Sequence, residues 1–191
     1  MVEISGKYKI GTRRFGSINW IGAWTLYKKE VLRFLIVWIQ TLFSPLITSL
    51  LFLSVLSLAI GNDRGDVLGV PFIVFLAPGL IAMQIIQQAF SHSSSSFMIG
   101  KIQGNIVDLL YAPLSAGEVT LAVTLASVTR SVLIAAISLL VFYLFIDLEI
   151  KNFMTLIAFT LLSAFSLGAL GIIAGLWAEK FDHMATVTNF I

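Results

Sequence analysis

Four long stretches that are nearly free of charge constrain this chain of 191 residues more than any other feature. Candidate spans cover residues 34–60, 70–90, 119–146 and 153–178, and only the third contains a charged residue, Arg130. Each is long enough to cross a bilayer, which takes about 20 mostly apolar residues. Because lipid offers no partner for backbone amides, each span must be a helix. The sequence therefore predicts an all-α, polytopic helical membrane protein.

The composition agrees with a chain that lies mostly inside a membrane. Hydrophobic residues make up 58% of the sequence, charged residues make up only 12%, and the mean hydropathy is +0.98. Soluble domains carry about 25% charged residues. A net charge of +2 does not indicate nucleic-acid binding, and the lack of cysteine excludes disulfides and thiolate sites.

The sequence lacks the common motifs for catalysis, nucleotide binding and metal binding. It contains no GxxxxGK(S/T) pattern, so it cannot build a P-loop for ATP. Its two histidines, His92 and His183, are far apart, and neither belongs to an HExxH pattern. Asp182-His183 is interpreted as part of a hydrated helix end. A metal site there is the weaker alternative, because metal sites need three or four placed ligands. We therefore expect no enzyme activity, no metal site and no cofactor bound by this chain.

Basic residues predict the orientation of the chain. Nine lysines and arginines precede the first span, follow the second or follow the fourth, whereas the opposite loops contain only Arg64 and Lys151. Cytoplasmic segments of membrane proteins are enriched in lysine and arginine. We expect a multi-pass protein of the bacterial inner membrane, with the N terminus, the loop 101–118 and the segment around Lys180 in the cytoplasm.

Both ends of the chain predict further contacts with the membrane. Residues 17–29 combine aromatic side chains with two lysines, which is typical of a helix in the headgroup layer that bends into the first span near residues 30–34. The alternative is a first membrane helix that extends into the cytoplasm. The apolar residues 184–191 are interpreted as the start of a fifth span in a chain truncated at its C terminus. A tail that lies on the membrane is the alternative.

Polar residues inside two spans are candidates for a substrate path or a gate. Gln84 and Gln88 lie one helical turn apart, so they share a face of the second span. Such a face should contact protein or water, and hydrogen bonding between helices is the alternative to a translocation path. Arg130 either takes part in translocation or extends its guanidinium group to the membrane interface.

Small residues form a stripe along the fourth span. Gly168, Gly171 and Gly175 recur at steps of three and four, and the last two form a GxxxG pattern. Such patterns allow helices to approach closely. Packing within the chain is the favoured interpretation, and a dimer interface is the alternative.

The loop between the second and third spans contains a short amphipathic segment at 105–112. Asn105 is a candidate N-cap, Asp108 lies near the helix start, where negative charge is favoured, and Pro113 ends the helix. The predicted apolar face consists of Ile106, Leu109, Leu110 and Tyr111. An exposed apolar face is costly unless a partner covers it. The alternative is a helix that rests on the membrane surface.

Three stretches, in this order and spacing, carry a family resemblance. They are Lys29-Glu30-Val31-Leu32-Arg33-Phe34 with Trp38-Ile39-Gln40-Thr41-Leu42 and Pro45, Phe75-Leu76-Ala77-Pro78-Gly79-Leu80 continuing to Asn105-Ile106-Val107-Asp108-Leu109-Leu110-Tyr111-Ala112-Pro113, and Gly171-Ile172-Ile173-Ala174-Gly175 with Ala178-Glu179-Lys180. From about residue 20 to its end, the sequence resembles the permease subunits of type-2 ABC exporters. This family includes nodulation-factor, capsule-polysaccharide and drug-resistance permeases.

The resemblance implies a single permease domain over residues 1–191, with an interfacial helix at 17–29 and a cytoplasmic coupling helix at 105–112. Family members have six membrane helices, so four complete spans and the start of a fifth depart from the pattern at the C terminus. The resemblance also implies that two permease copies pair with two ATP-binding subunits, which bind ATP and Mg²⁺.

The functional hypothesis is a permease subunit that moves an amphiphilic, lipid-type or glycan-type substrate, or a drug, across the inner membrane. Its partners would be a cytoplasmic ABC ATP-binding subunit, a second permease copy and membrane lipid. An alternative is a secondary transporter or channel without a nucleotide partner. A membrane scaffold that transports nothing is a third hypothesis.

Overall fold

The structure, a computed structural model, describes residues 18–60, 66–67, 69–146, 148, 150, 152–180, 182–183 and 186–187. These residues are helical apart from short connections and one isolated bridge between Val67 and Val70. The predicted all-α fold of a polytopic membrane protein is therefore confirmed. The elements are α1 (Trp20–Ile36), a π-helical turn (Ile39–Phe43), α2 (Ser44–Ile60), α3 (Phe72–Ile102), α4 (Ile106–Tyr111), α5 (Ala116–Phe145) and α6 (Phe153–Trp177).

Four helical segments of the described chain are long and apolar enough to cross a bilayer. They are Ile39–Ala59, Phe72–Ile102, Ala116–Phe145 and Phe153–Trp177. Each overlaps one of the four predicted spans. The predicted start of a fifth span at 184–191 lies almost entirely outside the described residues.

Helix α3 forms the centre of the bundle and continues well beyond its apolar part at 70–90. Its later half contains a run of serines, of which Ser93 and Ser94 are fully buried. The small side chains allow a close contact with α6. A polar stretch within a membrane helix is stable only where protein, rather than lipid, surrounds it. Helices α2, α5 and α6 all pack directly against α3, and α1 packs against α5.

Helix α1 differs in both bounds from the helix predicted at 17–29. It begins at Trp20, where the side chain of Asn19 accepts a hydrogen bond from the amide of Gly22. It ends at Ile36, beyond the bend predicted at 30–34. The helix continues because its buried stripe of Leu26, Glu30 and Phe34, at i, i+4 and i+8, extends along the bundle.

Two prolines in the membrane helices have different effects. Pro45 has no amide hydrogen to bond with the carbonyl of Thr41, and the chain there forms the π-helical turn that precedes α2. Pro78 lies in the second turn of α3, and the helix continues through it without a break.

Candidate functional site at one end of the bundle

The short helix α4 lies within the range predicted at 105–112. Asn105 occupies the N-cap position, but its backbone is already helical and its side chain makes no capping bond in the described structure. Instead, its Nδ2 donates to Oε1 of Gln103 over 3.2 Å. The predicted capping role of Asn105 is therefore wrong. The turn into α4 is made by Gly104, whose φ of 75° few other residues adopt.

The apolar residues of α4 form two faces, whereas the sequence predicted a single one. Ile106 and Leu109 point inward and pack against a cluster that contains Leu26 of α1 and Phe97 of α3. The outer face is largely exposed. It consists of Val107, Leu110 and Tyr111, which are 48%, 76% and 86% exposed. The prediction that Ile106 and Leu109 belong to the exposed face is therefore wrong.

A buried carboxylate holds the loop after α4 in place. Glu118 accepts a hydrogen bond from the amide of Ser115 at 2.5 Å and a second from the amide of Asn19 at 2.6 Å. The hydroxyl of Ser115 accepts in return from the amide of Glu118, which completes a capping box at the start of α5. One side chain thus joins the N-terminal ends of α1 and α5.

Further contacts fix the same loop to α1. The side chain of Asn19 donates to the carbonyl of Pro113 at 3.1 Å. Leu114 packs so closely against Gly22 that a Cβ there would lie 2.7 Å from the leucine Cδ2. Together with the inward face of α4, these contacts attach the short helix to the bundle on both sides. Asp108 and Pro113, both predicted site residues, lie exposed at this surface.

Sequence reasoning missed Asn19 and Glu118, although a signal was present. Ser115 and Glu118 match the S-x-x-E pattern of a capping box, which marks the start of a helix. Asn19 matches the residue preference of an N-cap, but no local signal indicates its contacts with Pro113 and Glu118, which lie about a hundred residues away in the sequence.

A second feature is a polar cavity of about 400 Å³ between the end of α1, the π-helical turn, α3 and α5. Two of the predicted polar residues meet at its wall, where Arg130 Nη2 donates to Gln88 Oε1 at 2.6 Å. The cavity is lined by Arg33, Phe34, Val37, Gln40, Thr41, Ser44, Pro45, Gln88, His92, Ser95, Ile99 and Arg130.

On its α1 side, the cavity is lined by Arg33, which forms an ion pair with Glu30 behind it. Arg33 lies 3.1 Å from the buried carboxylate of Glu30, and it also donates to the carbonyl of His92 at 3.1 Å. His92 is fully buried, 3.7 Å from the same carboxylate, and its ring meets Phe34 edge-on. Sequence reasoning did not select these residues, because no local pattern connects α1 with the middle of α3.

Gln84, the third predicted polar residue, lies outside this cavity. It is buried between three helices and acts as a hydrogen-bonding centre. Its Nε2 donates to the carbonyl of Pro45 at 2.9 Å and to the hydroxyl of Ser49. Its Oε1 accepts from the hydroxyl of Ser138 at 2.7 Å. This arrangement corresponds to interhelical hydrogen bonding, the alternative to a translocation path.

The glycine stripe of α6 packs within the chain. A Cβ on Gly171 would lie 2.6 Å from the carbonyl oxygen of Phe90, and one on Gly175 would lie 2.6 Å from that of Ser94. Gly168 is in similarly close contact with Ser127 of α5. The GxxxG pattern therefore allows α6 to approach the backbone of α3 directly.

The titratable residues of the described chain show no arrangement suited to holding a metal ion. Nowhere among them do three or more histidine, cysteine, aspartate or glutamate side chains come together. An exposed apolar helix and a cavity with guanidinium groups, both at this end of the bundle, are features suited to binding.

Comparison with known proteins places these features in a family. Residues 22–191 match the ABC-2 type transporter family. The chain is 28% identical over 174 residues to the inner membrane transport permease YadH of Escherichia coli K12, which covers 91% of this chain and 68% of the relative. YadH of Escherichia coli O157:H7 and of Shigella flexneri match with the same identity and coverage. No solved structure matches the chain.

The matched segment contains α4, the polar cavity and all four candidate spans of the described chain. This chain is therefore a membrane permease subunit that belongs to the ABC-2 type transporter family.

Proposed function

We propose that this chain is the permease half of an ATP-driven exporter in the bacterial inner membrane, and that α4 receives force from a separate ATP-binding subunit. ATP and Mg²⁺ bind to that partner, and this chain binds no cofactor of its own. The family match and the relatives named as inner membrane transport permeases support this proposal.

The observation that carries the proposal is the contrast between the two faces of α4. Leu110 and Tyr111 are among the most exposed apolar side chains of the described chain, while Ile106 and Leu109 anchor the same helix from below. An exposed apolar pair on a rigidly attached helix suits a groove on a partner protein. Force applied to such a helix would reach α1 and α5 through Glu118.

The arrangement of basic residues supports a cytoplasmic location for α4. Lys101, at the end of α3, donates to the carbonyls of Leu176 and Ala178 at the end of α6. This contact brings the segment around Lys180 to the same end of the bundle as α4. Lysine-rich ends of membrane proteins face the cytoplasm, where ATP-binding partners are found.

We propose the rest of the mechanism from the family resemblance. Two permease copies and membrane lipid complete the transporter, and the transported molecule is an amphiphilic, lipid-type or glycan-type compound or a drug. Nucleotide binding by the partners biases the membrane bundle between two states. The substrate then leaves on the side opposite α4.

Copurification with the proposed ATP-binding subunit tests the role of α4. The double variant Leu110→Ala, Tyr111→Ala should weaken copurification about tenfold or more, because exposed aromatic anchors dominate many interfaces. The matched control is Tyr143→Ala, Leu144→Ala, since these residues are 64% and 74% exposed at the far end of α5. The control should bind the partner normally.

Equal copurification of the two double variants would contradict the role of α4. A transport assay separates the broader alternatives. An exporter stops when ATP is depleted, whereas a secondary transporter continues until its ion gradient collapses.

A further inference from the structure

The polar cavity lies at the edge of the membrane-spanning part of the bundle. Gln40, Thr41 and Ser44 line it, and all three fall within the first six residues of the span Ile39–Ala59. At 1.5 Å per residue, this places them less than about 10 Å from the start of the span. Gln88 of the same cavity lies near the end of the apolar part of α3 at 70–90, so the cavity lies near one end of the apolar part of the bundle.

The charges at the cavity are not balanced. Among the described residues that line it, two are arginines and none is acidic. The carboxylate of Glu30 lies behind Arg33 at 3.1 Å and balances one of the two positive charges. The second, on Arg130, is bonded to the neutral side chain of Gln88.

Arg130 also has donor capacity that the protein leaves unused. Its Nε is buried and has no hydrogen-bond partner in the described structure. A partly buried guanidinium group without a counter-ion is costly, and an anion in the cavity would reduce that cost.

The two guanidinium groups can act on one ligand. Arg33 bonds to the carbonyl of His92, and Arg130 bonds to the side chain of Gln88. Gln88 and His92 lie one turn apart on the same face of α3, so both cations are anchored within about 6 Å along that helix. Planar guanidinium groups recognise phosphate oxygens through paired hydrogen bonds.

From this geometry we propose that the cavity binds the anionic phosphate-ester headgroup of a membrane amphiphile. Phe34, Val37 and Ile99 line the same cavity and provide apolar contacts for the part of the molecule next to the phosphate. Headgroup binding requires neither nucleotide nor the ATP-binding partner, so it can be tested separately from the proposed export function.

Lipid retention by the full chain tests this proposal. The protein is reconstituted in phosphatidylcholine nanodiscs with added phosphatidylglycerol, and the bound lipid is counted by native mass spectrometry. The wild-type chain should retain phosphatidylglycerol selectively. Arg130→Gln should weaken retention about tenfold, the expected loss of a charge-assisted contact.

Gln88→Glu provides a test that preserves the size of the side chain. It places a carboxylate beside Arg130, so it should compete with the lipid phosphate and weaken retention to a similar extent. Arg130→Lys keeps the charge and should lose less. Lys28→Gln is the matched control, because Lys28 is exposed on α1 and does not line the cavity.

Two outcomes would overturn the proposal. One is normal, selective retention of phosphatidylglycerol by both Arg130→Gln and Gln88→Glu, provided that both elute and unfold like the wild-type chain. The other is loss of retention in Lys28→Gln to the same extent, which would indicate general surface attraction. Inorganic phosphate distinguishes the source of the anion. If it stabilises the wild-type chain in neutral nanodiscs but not Arg130→Gln, the site also accepts soluble phosphate.

Discussion

Two glutamines on one face of α3 have different surroundings, although they lie only one turn apart. Gln84 is enclosed by Pro45, Ser49 and Ser138, and its amide oxygen and nitrogen both have partners. Gln88 instead forms the wall of a cavity and bonds to Arg130, whose Nε remains unpaired. In the first region, the hydrogen bonds between the helices are complete. In the second, a guanidinium group with an unpaired donor lines a cavity.

This difference shows that a polar residue within a membrane span is not by itself evidence of a transport path. A buried polar side chain with complete hydrogen bonding stabilises the contact between helices. One that lines a cavity with unbalanced charge is a better candidate for binding. Substitution of Gln84 should therefore lower the stability of the fold, whereas substitution of Arg130 should weaken the retention of anionic lipid.

The largest expected effect comes from the close contact that positions α3 against α6. Gly171→Ala with Gly175→Ala should lower the free energy of unfolding by about 1–3 kcal/mol per site, because each new Cβ meets the backbone of α3. Reversible detergent unfolding of the full chain measures this. Gly79→Ala is the control, since a Cβ there has no neighbour within 4 Å. Similar stability in the double variant and the control would contradict the tight contact.

An intermediate effect is expected at Gln84. Gln84→Leu removes three hydrogen bonds between helices, and at about 0.6 kcal/mol for each such bond it should destabilise the fold by roughly 2 kcal/mol. Retention of phosphatidylglycerol by the folded variant should not change. Gln87→Leu, a neighbouring and only partly buried glutamine, is the control for helix propensity. A specific loss of lipid retention in Gln84→Leu would end the distinction between the two regions.

The smallest effect on stability is expected at Arg130. In neutral lipid, Arg130→Gln should change the free energy of unfolding by less than about 0.5 kcal/mol, because the variant also removes an uncompensated buried charge. Thermal unfolding without and with phosphatidylglycerol measures this, and only the wild-type chain should gain stability from the anionic lipid. A loss above about 2 kcal/mol in neutral lipid would place Arg130 with Gln84 as a structural residue.

For helix α4, the local sequence pattern predicts the position of the helix but not which of its faces is exposed. Its position within 105–112 follows from Pro113 and the apolar spacing, both of which are local properties. The division of its apolar residues into anchored and exposed faces depends on Leu26 and Phe97, which belong to other helices. The sequence pattern alone therefore assigned Ile106 and Leu109 to the wrong face.

The sequence by itself determined the fold class and the approximate positions of all four candidate spans. Hydropathy is a sum of transfer free energies of individual residues, so it can be read without knowing which helices are neighbours. Only the tertiary structure separated Gln84 from Gln88 and brought Glu30, Arg33 and His92 together with Arg130. Which polar groups are paired depends on contacts between side chains that are tens of residues apart, and those contacts form only when the helices pack.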